Sequence, residues 1–224
     1  MNEGKYIFHL ISKLYPINRC LTGEGVRKTL KHLKKINSKL KIKFINSGTK
    51  VFDWTVPKEW VVREAWIKTP DGQKICSFSE NNLHIVGYSV AVDKVISRDE
   101  LESHLYSRPD MPNAVPYVTS YYEERWGFCI ADNLRHALVD GEYHIFIDAD
   151  HFDGALSYGD ALLVGDSSDE ILISTYICHP SMANNEISGI AVSTFVAKHV
   201  ANMPRRRYSY RFVFVPETIG SVTY

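Results

Sequence analysis

Glu170–Gly189, EILISTYICHPSMANNEISG, decides how this chain is read. Ile171, Leu172, Ile173, Tyr176 and Ile177 make an apolar run of buried-strand length that leads straight into Cys178-His179-Pro180. A short polar loop follows, and Ser188-Gly189 opens an apolar helical stretch. One imidazole therefore sits at the carboxyl end of a strand. The amides of Asn184 and Asn185 and the carboxylate of Glu186 come a few residues later. Ligands and metals gather at that end of the strands in an α/β sheet. The stretch reads as half of a metal-hydrolase site.

On its carboxyl side, the pattern predicts a helix over 188–202 and a strand over 208–215, with Glu217 just past the strand and a further helix starting near Ser221. On its amino side, a helix over 131–138 precedes strands over 142–148 and 160–165. The strands over 170–177 and 208–215 are continuously apolar, as expected where helices cover both faces of a sheet. Near the amino terminus, Tyr6, Ile7, Leu10, Ile11 and Leu14 recur at helical spacing. Val26, Leu30, Leu33, Ile36 and Leu40 do the same from Glu24 on, and 41–46 alternates as a strand.

The texture between 50 and 125 is different. A hairpin is predicted over 61–78, because Asp71-Gly72 supplies the positive backbone angle of a tight turn. A strand is predicted over 83–92, and Ser97-Arg98-Asp99-Glu100 is a capping-box start to a short helix. Trp54, Trp60, Trp66, Tyr88, Tyr121, Tyr122 and Trp126 read as the core of a small β subdomain, or as a face that binds sugar or peptide. The expected fold is α/β: a mixed sheet with flanking helices over 1–49 and 126–224, interrupted by a β-rich insert over 50–125.

Lysine plus arginine equals aspartate plus glutamate, 26 each, so charge gives no reason to expect nucleic acid or an anionic membrane as partner. The basic run over 28–43 reads as a solvated helix face. The amino terminus lacks the pattern of a signal peptide, and no window approaches the roughly 18–20 apolar residues of a membrane span. Cys20, Cys76, Cys129 and Cys178 lie far apart without a CxxC pair, which favours free thiols over disulfides or structural zinc. The expected location is cytoplasmic.

Four runs together resemble a bacterial family of aminopeptidase-like proteins within the zinc-dependent exopeptidases. They are LISTYICHPSMANNEISG (172–189), YSYRFVFVPETIGS (208–221), DWTVP (53–57) and YVTSYYEERWGFC (117–129). The resemblance implies a peptidase-like domain with a β-rich insert, an association with surface-polysaccharide functions, and proteins about twice this length. It also implies that His179 ligates zinc, that Glu217 is a general base or ligand, and that Asn185 stands where an aspartate would bridge two zincs. The chain resembles an amino-terminal half, with further ligands expected beyond it.

Asparagine carries no charge and is a poor zinc ligand beside His, Cys, Asp or Glu. Glu186, one residue later, supplies the missing charge if the loop shifts register. Cys178 is expected to point away from His179, since adjacent strand residues face opposite ways. Asp148, Asp150, His151 and Asp153 have the composition of a metal cluster but read as turns. Two functions are expected. One is a zinc-dependent hydrolase acting on a peptide or aminoacyl-type substrate. The other is a non-catalytic remnant that binds peptide or glycan. A sheet ending at Val215 is also expected to leave apolar surface for self-association or for a complementing carboxyl-terminal half.

Overall fold

The computed structural model describes residues 3–224, and they divide into two compact units. One runs up to Glu59 and resumes over Asp153–Tyr224; the other is Trp60–Phe152. The chain begins with helices α1 (Glu3–Leu14) and α2 (Glu24–Ile36) and strand β1 (Lys41–Asn46). The short strands β2 (Lys50–Val51) and β3 (Trp54–Thr55) pair with each other. Strand β4 (Glu59–Lys68) then leads into the second unit.

The second unit continues with β5 (Lys74–Ile75), β6 (Val92–Ser97), helix α3 (Arg98–Glu102), β7 (Leu105–Tyr106), β8 (Phe128–Cys129), helix α4 (Asp132–His136) and β9 (Glu142–Phe152). Its larger sheet has the order β5-β4-β9-β6. The predicted hairpin forms, with Gly72 at φ +89° in the turn and Ile67 opposite Ile75. The capping box also forms: the Ser97 hydroxyl accepts from the Glu100 amide at 3.2 Å. The strand predicted over 83–92 does not exist. A 3₁₀ turn occupies Asn82–His84, Tyr88 sits at φ 66°, and extension begins only at Val92.

The predicted insert bounds of 50 and 125 differ from the unit bounds of 60 and 152. Residues 142–148, expected in the α/β sheet, instead form β9, which pairs antiparallel with β6. The reason is visible in the alternation: Tyr143, Ile145, Ile147 and Ala149 are buried while their neighbours are not. That is the signature of a half-buried antiparallel strand rather than of one covered on both faces.

The first unit is completed by β10 (Ala155–Leu163), β11 (Glu170–Tyr176), helix α5 (Ser188–Ala201), β12 (Ser209–Val215) and helix α6 (Ile219–Thr223). Its sheet has the order β1-β10-β12-β11, with β11 and β12 parallel and the other pairs antiparallel. The fold is thus α/β with a mixed sheet and flanking helices. Leu10, Leu14, Val26, Leu30 and Leu33 from the first two helices and Ile190, Ala191 and Ala197 from α5 pack with Phe212 and Phe214 of β12. The other face carries charge: Asp160 meets Lys43 and Arg211, each at 3.0 Å.

Strand β12 is buried from Phe212 to Val215, as its sequence suggests. Strand β11, expected to be buried, is an exposed edge. Leu172 is 59% exposed, and Ile171 and Tyr176 are open as well. Ile173 alone of its aliphatic residues packs against the core. Phe212→Ala should therefore cost about 3–5 kcal/mol of stability. Leu172→Ala should stay within about 0.5 kcal/mol. Urea denaturation of both variants measures the contrast, and similar losses would mean that β11 is as buried as β12.

Candidate active site

Strand β11 makes its last ladder pair at Tyr176, opposite Val215 of β12. The chain leaves the sheet there, so strand alternation no longer governs residues 178 and 179. Cys178 and His179 are both buried, and their donor atoms lie within 4.8 Å of each other and of the Glu186 carboxylate. This corrects the expectation that the two side chains diverge. The Glu217 amide donates to the Cys178 sulfur at 3.2 Å, which ties the ends of β11 and β12 together.

His179 is the centre of the arrangement. Its backbone N–H donates to Glu186 Oε2 at 2.6 Å, and its Nδ1 lies 2.5 Å from the same oxygen. On the other side of the ring, Nε2 lies 3.0 Å from Glu217 Oε2. A carboxylate lies against each ring nitrogen, Glu186 on the buried side and the half-exposed Glu217 on the side open to a ligand, and together they fix the ring orientation. Burial alone would lower the pKa of the imidazole, but the hydrogen bond to Glu186 and the nearby charges of Glu186 and Glu217 outweigh it and raise the pKa.

Glu186 reaches this position only through a distorted turn. A single wide turn over Ala183–Ile187 precedes α5, and within it Glu186 has φ 128° and ψ −62°. A non-glycine residue there carries strain on the order of 1–3 kcal/mol, of the kind found where a side chain must be aimed. Ser181 and Thr218, on the two segments that frame the site, also have positive φ. The same turn leaves Asn184 and Asn185 exposed to solvent while the Glu186 side chain is fully buried.

The buried carboxylate faces a buried cation that the sequence did not reveal. Arg19 is fully buried, its Nη1 donates to the Leu14 carbonyl at 2.7 Å, and its Nε lies 3.9 Å from Glu186 Oε1. Burial pushes the Arg19 pKa down, while Glu186 acts in the opposite direction. The segment bearing Arg19 is pressed against the start of α2. A Cβ on Gly25 would fall 1.9 Å from the Asn18 carbonyl oxygen, so only glycine permits that approach. An arginine among apolar neighbours was the one available signal, and nothing in its spacing connects residue 19 to residue 186.

Zinc fits part of this donor set. His179 Nε2 and the half-exposed Glu217 carboxylate converge at one rim, the nitrogen suited to one position of a four-coordinate ion. Glu186 contacts His179 and Arg19, and with Cys178 and His179 it forms a buried group whose donor atoms could also hold an ion. Burial pushes the Cys178 thiol far above its ordinary value, and its sulfur accepts from the Glu217 amide. Asn185, exposed in its turn, offers only an amide. With His179 neutral, Arg19, Glu186 and Glu217 leave a net negative charge at the rim, the sign that attracts a dication.

The acidic group around Asp148 is not part of this centre. Asp148 and Asp150 lie in β9 rather than in turns, and Arg63 holds them at 2.5 and 2.7 Å. Several aromatic residues of the second unit pack on one another: Trp60 stacks on Tyr88 with centroids 5.6 Å apart, and Tyr121 meets Tyr88 edge-on. None of the four cysteines forms a disulfide, and all four are buried. No described helix is long and apolar enough to cross a membrane.

The family model described as a domain of unknown function (DUF4910) matches residues 8–224. A relative from Clostridium acetobutylicum, named as a polysaccharide biosynthesis protein with an aminopeptidase-like domain, is 47% identical over 221 residues. The match covers 99% of this chain and 50% of that protein, so the chain spans about half its length. A crystal structure from the same organism, named as a peptidase, is 47% identical with a TM-score of 0.94, covering 98% of this chain and 52% of that one. BSAP, a zinc aminopeptidase from Bacillus subtilis, is similar in fold alone. Its TM-score is 0.57 at 11% identity, with 94% of this chain and 61% of that chain covered.

Removing one member of a buried ion pair strands the other, which costs about 3–5 kcal/mol. Arg19→Met should therefore destabilise the chain by about that amount, and adding Glu186→Gln should recover much of the loss. Urea titration of the single and double variants makes the comparison; a neutral single variant would show that the pair does not hold the site.

Proposed function

Because the chain belongs to the family described as a domain of unknown function (DUF4910), which here has a peptidase-like fold, we propose that it carries part of a zinc-dependent aminopeptidase-type hydrolase site. The observation that supports this reading most directly is His179 held between two carboxylates, with Nε2 facing the half-exposed Glu217 at 3.0 Å. His179 would hold the ion, with Glu217 beside it as the proton-handling carboxylate. Zinc in such a position polarises a scissile carbonyl and acidifies water.

The protein's own groups have separate tasks. Glu186 keeps the His179 ring turned with Nε2 outward, and Arg19 offsets the Glu186 charge beneath it. Glu217 is the exposed carboxylate at the rim, placed to take a proton from the attacking water and return it to the leaving amine. A cleft of about 450 Å³ adjoins Glu186, lined by Ser174, Thr175, Tyr176, Ser188 and Ser221. Its hydroxyl groups suit the backbone amides of a short peptide or aminoacyl substrate. The whole protein would act in the cytoplasm, in functions connected with surface polysaccharide, as the name of the Clostridium relative suggests.

A second reading rests on Asn185. The amide occupies the place of a bridging carboxylate in the resembled exopeptidases and is exposed here, which favours a non-catalytic protein that binds peptide or glycan. Zinc titration by calorimetry, together with turnover of an aminoacyl arylamide, separates the two. Under the first reading His179→Ala should abolish zinc binding. Glu217→Gln should keep His179-dependent zinc binding and cut turnover about 10²–10⁴-fold. Under the second, zinc binding and turnover are absent in the unaltered chain, and Asn185→Asp should leave zinc affinity unchanged.

A further inference from the structure

Helices α1, α2 and α5 frame a cleft of about 510 Å³ that shares no residue with the His179–Glu217 rim. Each helix contributes one stripe at helical spacing. Tyr6, Leu10 and Lys13 come from α1, His32, Lys35 and Ile36 from α2, and Phe195 and Lys198 from α5. Leu10 is buried, and Ile36 and Phe195 are partly buried against the core, so the floor of the cleft is apolar. Lys13, Lys35 and Lys198 are exposed around it, and no carboxylate lines it.

Lys31, Lys43, Lys74 and Lys94 each have a carboxylate within 3.4 Å. Among the described residues, Lys13, Lys35 and Lys198 have none, as is also true of lysines such as Lys5 and Lys34; what sets these three apart is that they line one cleft together with no carboxylate. The cations also act on a common point: the pKa of His32 is lowered by burial and then by Lys13 and Lys35. Cations gathered without counter-charge around an apolar floor repel one another, and only an anion relieves that repulsion. A volume of about 510 Å³ lies within the range of small-molecule sites.

We infer that the cleft between α1, α2 and α5 binds a soluble organic phosphate, with its apolar body on Leu10, Ile36 and Phe195 and its phosphate among Lys13, Lys35 and Lys198. Phosphate fits better than a single carboxylate because its oxygens project in several directions and its two charges answer three ammonium groups. A lipid headgroup offers the same chemistry, so the source must be distinguished by experiment.

Calorimetry with octyl phosphate below its micelle-forming concentration is the direct test. Saturable binding is expected, at least about tenfold tighter than for inorganic phosphate or octanol alone. The double variant Lys13→Gln/Lys35→Gln should weaken it about tenfold or more. The charge-matched control Lys5→Gln/Lys34→Gln, at exposed positions outside the cleft, should leave it unchanged. Circular dichroism checks that both variants fold. Absence of saturable binding, or equal weakening by the control, would overturn the inference. So would binding to phosphatidic acid vesicles without binding to soluble octyl phosphate, which would assign the cleft to a membrane surface instead.

Discussion

The burial of one carboxylate organises the chemistry-bearing end of the first unit. The Glu186 side chain is fully buried, and a charge in that setting is tolerated only with hydrogen bonds and an opposite charge. It accepts from the His179 backbone, sits against the His179 ring, and faces Arg19 from below. These contacts bring residue 19 together with residues 179–186, two segments distant in sequence. The strained conformation of residue 186 is consistent with this: the turn departs from ordinary helix geometry because the carboxylate must point inward.

That constraint propagates outward. With Nδ1 engaged by Glu186, the ring of His179 turns Nε2 toward Glu217, which the end of β12 supplies. The parallel pairing of β11 and β12 places the two strand ends side by side, and the Glu217 amide on the Cys178 sulfur holds them in register. Gly25 allows α2 to close on the segment carrying Arg19. An imidazole, an exposed carboxylate and a buried balancing pair thus belong to one unit, and the second unit is not needed to assemble them.

Much of the architecture was legible because it rests on local pattern. The helical stripes of α1 and α2, the alternation of β1, the capping box at Ser97 and the glycine turn at 72 all come from periodicity and turn chemistry. The misreadings came where pattern is ambiguous. The apolar run of β11 reads as buried, yet its place at the sheet edge exposes it, and strand order is not written in a strand's own residues. Residues 83–92 are apolar enough for a strand, but Tyr88 at positive φ breaks the extension. Residues 142–148 look like the next strand of an α/β series and join a different sheet because their alternation suits an antiparallel partner.

By itself the sequence determined the α/β class, the strand–loop–helix around residue 179, and the candidacy of His179 and Glu217, since each depends on residue type and near neighbours. Only the tertiary structure decided the roles within the site. Glu186 rather than Asn185 turns inward, Cys178 lies beside His179 once the chain has left the sheet, and Arg19 supplies the buried counter-charge. The reason is physical. A charge buried without a partner is too costly to persist, and the identity of that partner is fixed by proximity in the fold, which no spacing along the chain encodes.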